Sequence, residues 1–338
     1  MSAGQGDGPA ASGMNPEPAG PPRRTLRFGL MYLQAAPFDD LVRRVRRGEE
    51  LGFDSLWVAD HMTGQYPRLI AFEAWSLLGT LAAVTSRARL GTMVTPITFR
   101  HPALLAMSAT TVDHASGGRL EIGLGIGGAP VDDRIVGAPD LAGPARVERL
   151  EEQVVLLDRL LRGETVEGHD GAYPTSGARI TPPFQHPRPP IVIAGDGPRL
   201  IDLAARRGDA WNTMGGQSMR RTGRPTLALE AAVARTGERV RRLEDACARA
   251  GRDPDSIRRI LLAYRVSPRL FTSADAFSEF VGRYREAGID ELVFYWPVNP
   301  ATFGPAPELE DALERIAAEM LPALRRAAAG DGTARGPG

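Results

Sequence analysis

LRFGLMYLQAAP (residues 26–37) decides between two architectures. Its first seven residues form an apolar run of strand length, and residues 33–37 are the turn that follows. A doubly wound open sheet normally places a glycine-rich phosphate turn directly after its first strand. The turn here, LQAAP, carries no glycine, which favours a closed barrel.

Outward from this stretch, strand-like and helix-like segments alternate along the chain. Strands are expected at 26–32, 54–59, 89–95, 119–124, 190–194, 210–212, 257–266 and 291–295. Helices are expected at 38–51, 71–84, 102–115, 146–162, 198–207, 226–250, 274–287 and 307–328. The helix at 38–51 shows the pattern well, with Leu41, Val45 and Leu51 on one face and Arg and Glu on the other. Strict alternation implies parallel strands with helical crossovers, and eight such units close an α/β TIM barrel, (β/α)8. Two long insertions, near 125–145 and 163–189, interrupt the pattern. Residues 1–24 and 329–338 are rich in Gly, Ala and Pro, carry little to bury, and are expected to be disordered.

Composition excludes several kinds of function. The 338 residues balance 41 basic against 41 acidic side chains, which gives no electrostatic footprint for nucleic acid or an anionic membrane. Every basic residue is Arg, so Schiff-base and P-loop lysine chemistry are absent. The single cysteine, Cys247, has no intramolecular disulfide partner. No secretory signal and no apolar run of about 18 residues is present, so a cytoplasmic protein is expected. A catalytic metal would need several His and carboxylate ligands at strand ends. Of the five histidines only His61 and His101 are so placed, and no metal is expected.

Four stretches at strand ends carry candidate chemistry. Asp60-His61 follows the second strand, where His suits proton transfer but equally caps loop amides. Arg100-His101-Pro102 opens a helix, either as a plain entry turn or with His101 lining the mouth. The fourth strand runs into Gly125, Gly127 and Gly128, which permit close backbone approach by a ligand or serve as a hinge. The turn Gly195-Asp196-Gly197-Pro198 offers helix N-terminal amides to a phosphate, although Asp196 opposes a phosphate unless it caps the helix instead. Tyr32 and Trp296, at the ends of the first and last strands, are candidate pocket walls with His101 and Gly128.

Six motifs in order resemble the luciferase-like monooxygenase superfamily, and its F420-dependent branch in particular. They are EELGFDSLWVADH (49–61), SRARLGT (86–92), FRHPALLA (99–106), GGRLEIGLGIGG (117–128), PPIVIAGDGPRLIDLAARRGDAWN (189–212) and AGIDELVFYWP (287–297). The resemblance covers nearly the whole chain between the tails. It implies a dimeric barrel with the tricyclic ring of coenzyme F420, or alternatively FMN, at the C-terminal mouth. An Asp before the His, where relatives also carry Glu, points to F420. By position, the resemblance places a non-proline cis peptide at Met93-Val94. It makes Asp60 and His61 catalytic, and assigns Asp60, Met93, Val94, Thr95, Gly125, Gly127, Gly195, Asp196, Gly197, Pro198 and Thr213 to the cofactor. Arg220, Arg221 and Arg224 either suit the acidic glutamyl tail of F420 or belong to a plain solvated loop. The substrate is expected to be a small, mostly apolar organic molecule, with a separate reductase recycling the cofactor.

Two departures stand out. Sugar-phosphate dehydrogenases of the F420 branch carry a Trp shortly after the His, where this chain reads Met62-Thr63-Gly64-Gln65. They also carry a proton-donating Glu after the fourth strand, where this chain has Gly128. A sugar-phosphate substrate is therefore not expected, and Asp132 or Asp133 is left to supply a second acid–base group. The same departures are compatible with a barrel that only binds a ligand.

Overall fold

The computed structural model describes residues 24–34, 36–62, 71–128, 130–167, 171–216, 227–263, 268–297 and 306–330. Strands β1 (Arg27–Tyr32), β2 (Ser55–Val58), β3 (Arg89–Thr92), β4 (Thr95–Pro96), β5 (Leu120–Gly125), β6 (Ile191–Ala194), β7 (Ala210–Thr213), β8 (Arg258–Leu262) and β9 (Glu291–Tyr295) run parallel in one sheet. Pairing of β1 with β9 and of β3 with β5 closes the ring. Around it lie α1 (Phe38–Glu50), α2 (Ala74–Val84), α3 (Pro102–Ser116), α4 (Pro130–Ile135), α5 (Gly143–Leu161), α6 (Pro198–Arg207), α7 (Leu229–Arg249), α8 (Ala274–Glu286) and α9 (Pro307–Ala329). This is the (β/α)8 barrel expected from the alternation. The third strand, read as continuous over 89–95, divides into β3 and β4 around the Met93–Val94 link, whose peptide bond is cis.

Strand periodicity of two sorts the side chains into two cores. Leu30 and Tyr32 of β1, Leu56 of β2, Ile122 of β5 and Phe294 of β9 face outward and pack with the helices. Met31, Trp57, Met93, Val192, Ile260 and Val293 alternate with them and fill the barrel interior. The interior is therefore packed rather than hollow.

Charge closes the N-terminal end. Glu121 and Glu291, both fully buried, meet Arg27, Arg89 and Arg258, whose side chains are 20–25% exposed. Arg258 Nε lies 3.0 Å from Glu291, and its terminal nitrogen binds Glu121. Each of these residues stands at or near the start of its strand, opposite the mouth.

The two insertions acquire little regular structure. Among the described residues the first holds the short helix α4, and the second forms an antiparallel bridge between Val166 and Ala178. Among the described residues no helix is long and apolar enough to cross a membrane.

Candidate active site

At the C-terminal rim, Asp60 follows β2 and is 3% exposed. A carboxylate at that depth requires partners. Arg100, at the entry to α3, supplies one at 2.5 Å and a second contact at 3.3 Å, and Thr95 Oγ1 donates a third at 2.8 Å. Burial pushes the Asp60 carboxyl above its ordinary pKa, against the opposing pull of Arg100 and Thr95. Arg100 also binds Glu73, which caps α2 by accepting from the Trp75 and Ser76 amides. The Trp75 indole donates to Thr95 Oγ1 at 3.0 Å. One guanidinium thus ties the end of β2 to the start of α2, and Asp60 carries the link on to Thr95 at the start of β4.

His61 faces a different partner. Its Nδ1 lies 2.8 Å from Oδ2 of Asp132, a residue of α4 that is 2% exposed. The adjacent Asp133 turns the other way, accepting from Arg146 Nη2 at 2.6 Å and from Thr98 Oγ1 at 2.8 Å. Arg146 also donates to the carbonyls of Leu141 and Ile126. A cavity of about 770 Å³ opens beside Asp60, His61 and Arg100 and continues between α2 and α3 past Trp75, Gly79 and Leu104. It does not reach residues 195–198.

The turn after β6 forms the second part of the site. Gly195 has φ +144°, a backbone conformation that favours glycine, and a Cβ there would sit 2.3 Å from Leu200 Cδ1, which would have to swing aside. Asp196 does not cap α6. Its carboxylate accepts from Thr213 Oγ1 at 2.5 Å and pairs with Arg239 of α7 at 3.2 Å. Burial raises the Asp196 pKa, opposed by Arg239 and Thr213. Because Gly197 is the N-cap, no side chain caps the first amides of α6. The charge that would repel a phosphate is paired to one side; Pro198 has no amide hydrogen and the Gly195, Leu200 and Ile201 amides are bonded to backbone carbonyls, which leaves the Asp196, Gly197 and Arg199 amides as the donors that an anion could use.

The other candidate residues divide. Met93 belongs to the barrel interior, Val94 packs against it, and Thr95 is inside the Asp60 cluster. Gly125 ends β5 where a Cβ would collide with Val94 at 2.5 Å, while Gly127 and Gly128 follow it on the rim. Tyr32 and Trp296, expected as pocket walls, are not at the mouth. Both point outward by strand parity, stack at 5.7 Å, and are buried under the helices, with the Tyr32 hydroxyl donating to the Arg44 carbonyl. Met31 and Tyr295 hold the inward positions beside them. His101 is consumed by the helix entry, accepting from the Ala103 amide through Nδ1 and facing the Pro174 carbonyl at 3.1 Å through Nε2.

Glu73 and Arg239 were not singled out from sequence, and Arg100 was named only within a helix-entry turn, with no role of its own. Arg100 had a weak signal, a charge beside a strand end, whereas Arg239 is one of many charges on a long helix and has none. Thr63, Gly64, Gln65, Arg220, Arg221 and Arg224 lie outside the described residues, as do residues 1–23 and 331–338.

Comparison with known proteins adds independent findings. Residues 25–331 match the family model described as luciferase-like monooxygenase. An F420-dependent glucose-6-phosphate dehydrogenase from Beutenbergia cavernae is 31% identical over 336 residues, covering 86% of this chain and 95% of that protein. A 5,10-methylenetetrahydromethanopterin reductase from Archaeoglobus fulgidus is 29% identical over 184 residues. That match covers 54% of this chain and spans about half the relative's length, 52%. The structure of a coenzyme F420 dependent tetrahydromethanopterin reductase from Methanopyrus kandleri superposes with a TM-score of 0.70 at 18% identity, covering 88% of this chain and 99% of that one, and supports the fold.

Proposed function

This chain belongs to the luciferase-like monooxygenase family, and on that premise we propose that it is an F420-dependent oxidoreductase acting on a small organic substrate at the barrel mouth. The observation that carries the reading is the uncapped N-terminus of α6, with Asp196 drawn aside onto Thr213 and Arg239. It leaves the Asp196, Gly197 and Arg199 amides to meet a phosphorylated side arm, at the same end of the barrel as Asp60 and His61. The preference for F420 over FMN rests on the F420-dependent relative that covers most of the chain.

When bound, F420 supplies a hydride donor or acceptor at C5 of its ring. The chain's own residues do the rest. The Asp196, Gly197 and Arg199 amides would hold the phosphate, on a turn shaped by Gly195 and Pro198, with Thr213 keeping the Asp196 carboxylate aside. Met93 and Val94, backed by the packed interior, would form the floor for the ring and keep water from it. Asp60, neutralised by Arg100, fixes the end of β2 so that His61 is held at the cavity, where it exchanges a proton with the substrate. Gly128 in place of a carboxylate argues against a sugar phosphate as that substrate. The same reading places the enzyme in the cytoplasm, served by a separate reductase. It also makes the enzyme a homodimer, whose interface would cover Leu104 and Met107, exposed on α3.

Titration calorimetry with oxidised F420 and with FMN tests the proposal. We expect binding of F420 at least about tenfold tighter than FMN, a difference of ~1.4 kcal/mol. Tight FMN binding without F420 binding would overturn it in favour of a flavin monooxygenase.

A further inference from the structure

The geometry points to Asp132 as the positioning residue for His61: it holds the ring proton on Nδ1 and so makes Nε2 the atom that exchanges a proton with the substrate. With Asp132 ionised, its carboxylate only accepts hydrogen bonds, and the 2.8 Å contact with Oδ2 then places hydrogen on Nδ1. The lone pair of the neutral ring then lies on Nε2. Asp132 is 2% exposed while the His61 side chain is 33% exposed, so the carboxylate stands behind the ring and the ring faces the cavity.

The neighbouring residue explains why Asp132 stays in place. Asp133 is clamped by Arg146 and Thr98, and Arg146 is itself anchored on the Leu141 and Ile126 carbonyls. That clamp seats α4 against the rim and fixes the Asp132 carboxylate at the distance the tautomer requires. Two consecutive aspartates therefore divide the work, one locking the helix and one orienting the histidine. Among the described residues that line the cavity, the cation Arg100 is committed to Asp60 and Glu73. Neither aspartate replaces the proton-donating carboxylate that Gly128 lacks, because neither carboxylate is presented to the cavity. The inference rests on the reading of His61 as the acid–base group.

The test compares wild type with the near-isosteric Asp132→Asn variant, and with Asp133→Asn as a control for the seating of α4. Nitrogen-15 spectra of histidine-labelled, cofactor-free protein at pH 8.5 report the ring tautomer. His61 is expected as the Nδ1–H form in wild type and to shift toward the Nε2–H form in Asp132→Asn, whose amide can donate to Nδ1. Turnover with F420 should fall by about 10²-fold in kcat, with substrate KM and F420 affinity within about threefold. An unchanged tautomer overturns the inference, and so does a switched tautomer with unchanged kcat. Should wild type fail to bind or use F420, the functional reading falls. The tautomer comparison, made without cofactor, still decides whether Asp132 places the proton.

Discussion

Replacing Glu121 by Gln should destabilise the barrel by about 3 kcal/mol at pH 7 without touching its mouth. Glu121 lies at the N-terminal end of β5, fully buried, with Arg27, Arg89 and Arg258 around it. Burial by itself raises its pKa, but the attraction of Arg258, Arg89 and Arg27 more than offsets this and holds the carboxyl at about 2, against an ordinary 4.5. That difference corresponds to ~3 kcal/mol of preference for the charged form in the folded state. Breaking a buried ion pair by removing one partner typically costs about 3–5 kcal/mol, in the same range. Because the folded pKa is depressed, this stability is fully present above about pH 4.5 and is lost as the pH falls toward 2. The gap between wild type and Glu121→Gln should therefore be full at pH 7, shrink to less than half at pH 3, and close below pH 2. Urea unfolding of both proteins at pH 7, 5 and 3, followed by circular dichroism, measures the gap. Cofactor titration should show unchanged affinity. A gap below about 1 kcal/mol at pH 7, or one that does not change with pH, would refute the argument that the arginines hold this carboxylate charged.

Three further outcomes concern the mouth. His61→Ala should lower kcat by about 10²-fold or more while leaving F420 affinity within about threefold; unchanged turnover removes His61 from the mechanism. Gly195→Ala forces a side chain onto φ +144° and against Leu200, so stability should fall by about 1–3 kcal/mol and F420 affinity by about tenfold, read by thermal melting and calorimetry; wild-type values for both would show that the turn has no tight constraint. Arg100→Met leaves the buried Asp60 carboxylate with Thr95 alone and should cost about 3 kcal/mol or more at neutral pH. The Asp60 pKa is already raised, so the folded state holds its proton to higher pH than the unfolded state. The loss should accordingly shrink as the pH falls and Asp60 becomes neutral, and a loss that grows in acid would contradict this.

The sequence determined the architecture and the elements of the rim, because those features are encoded within a few residues. A period of two or of 3.6, a proline at a helix start and a glycine-free first turn are local signals. Even the misplacement of Tyr32 and Trp296 was correctable locally, since counting parity from Met31 and Val293 sends both outward. Tertiary structure alone decided the partners. His61 and Asp132 stand 71 positions apart, and Glu121 and Arg258 stand 137 apart. Nothing in the order of residues separates Asp132 from Asp133, or selects Arg239 from the other charges of α7. Those choices follow from ring closure, which carries distant strand ends to a common rim, and from burial there, which leaves each charge stable only against the partner that closure brings to it.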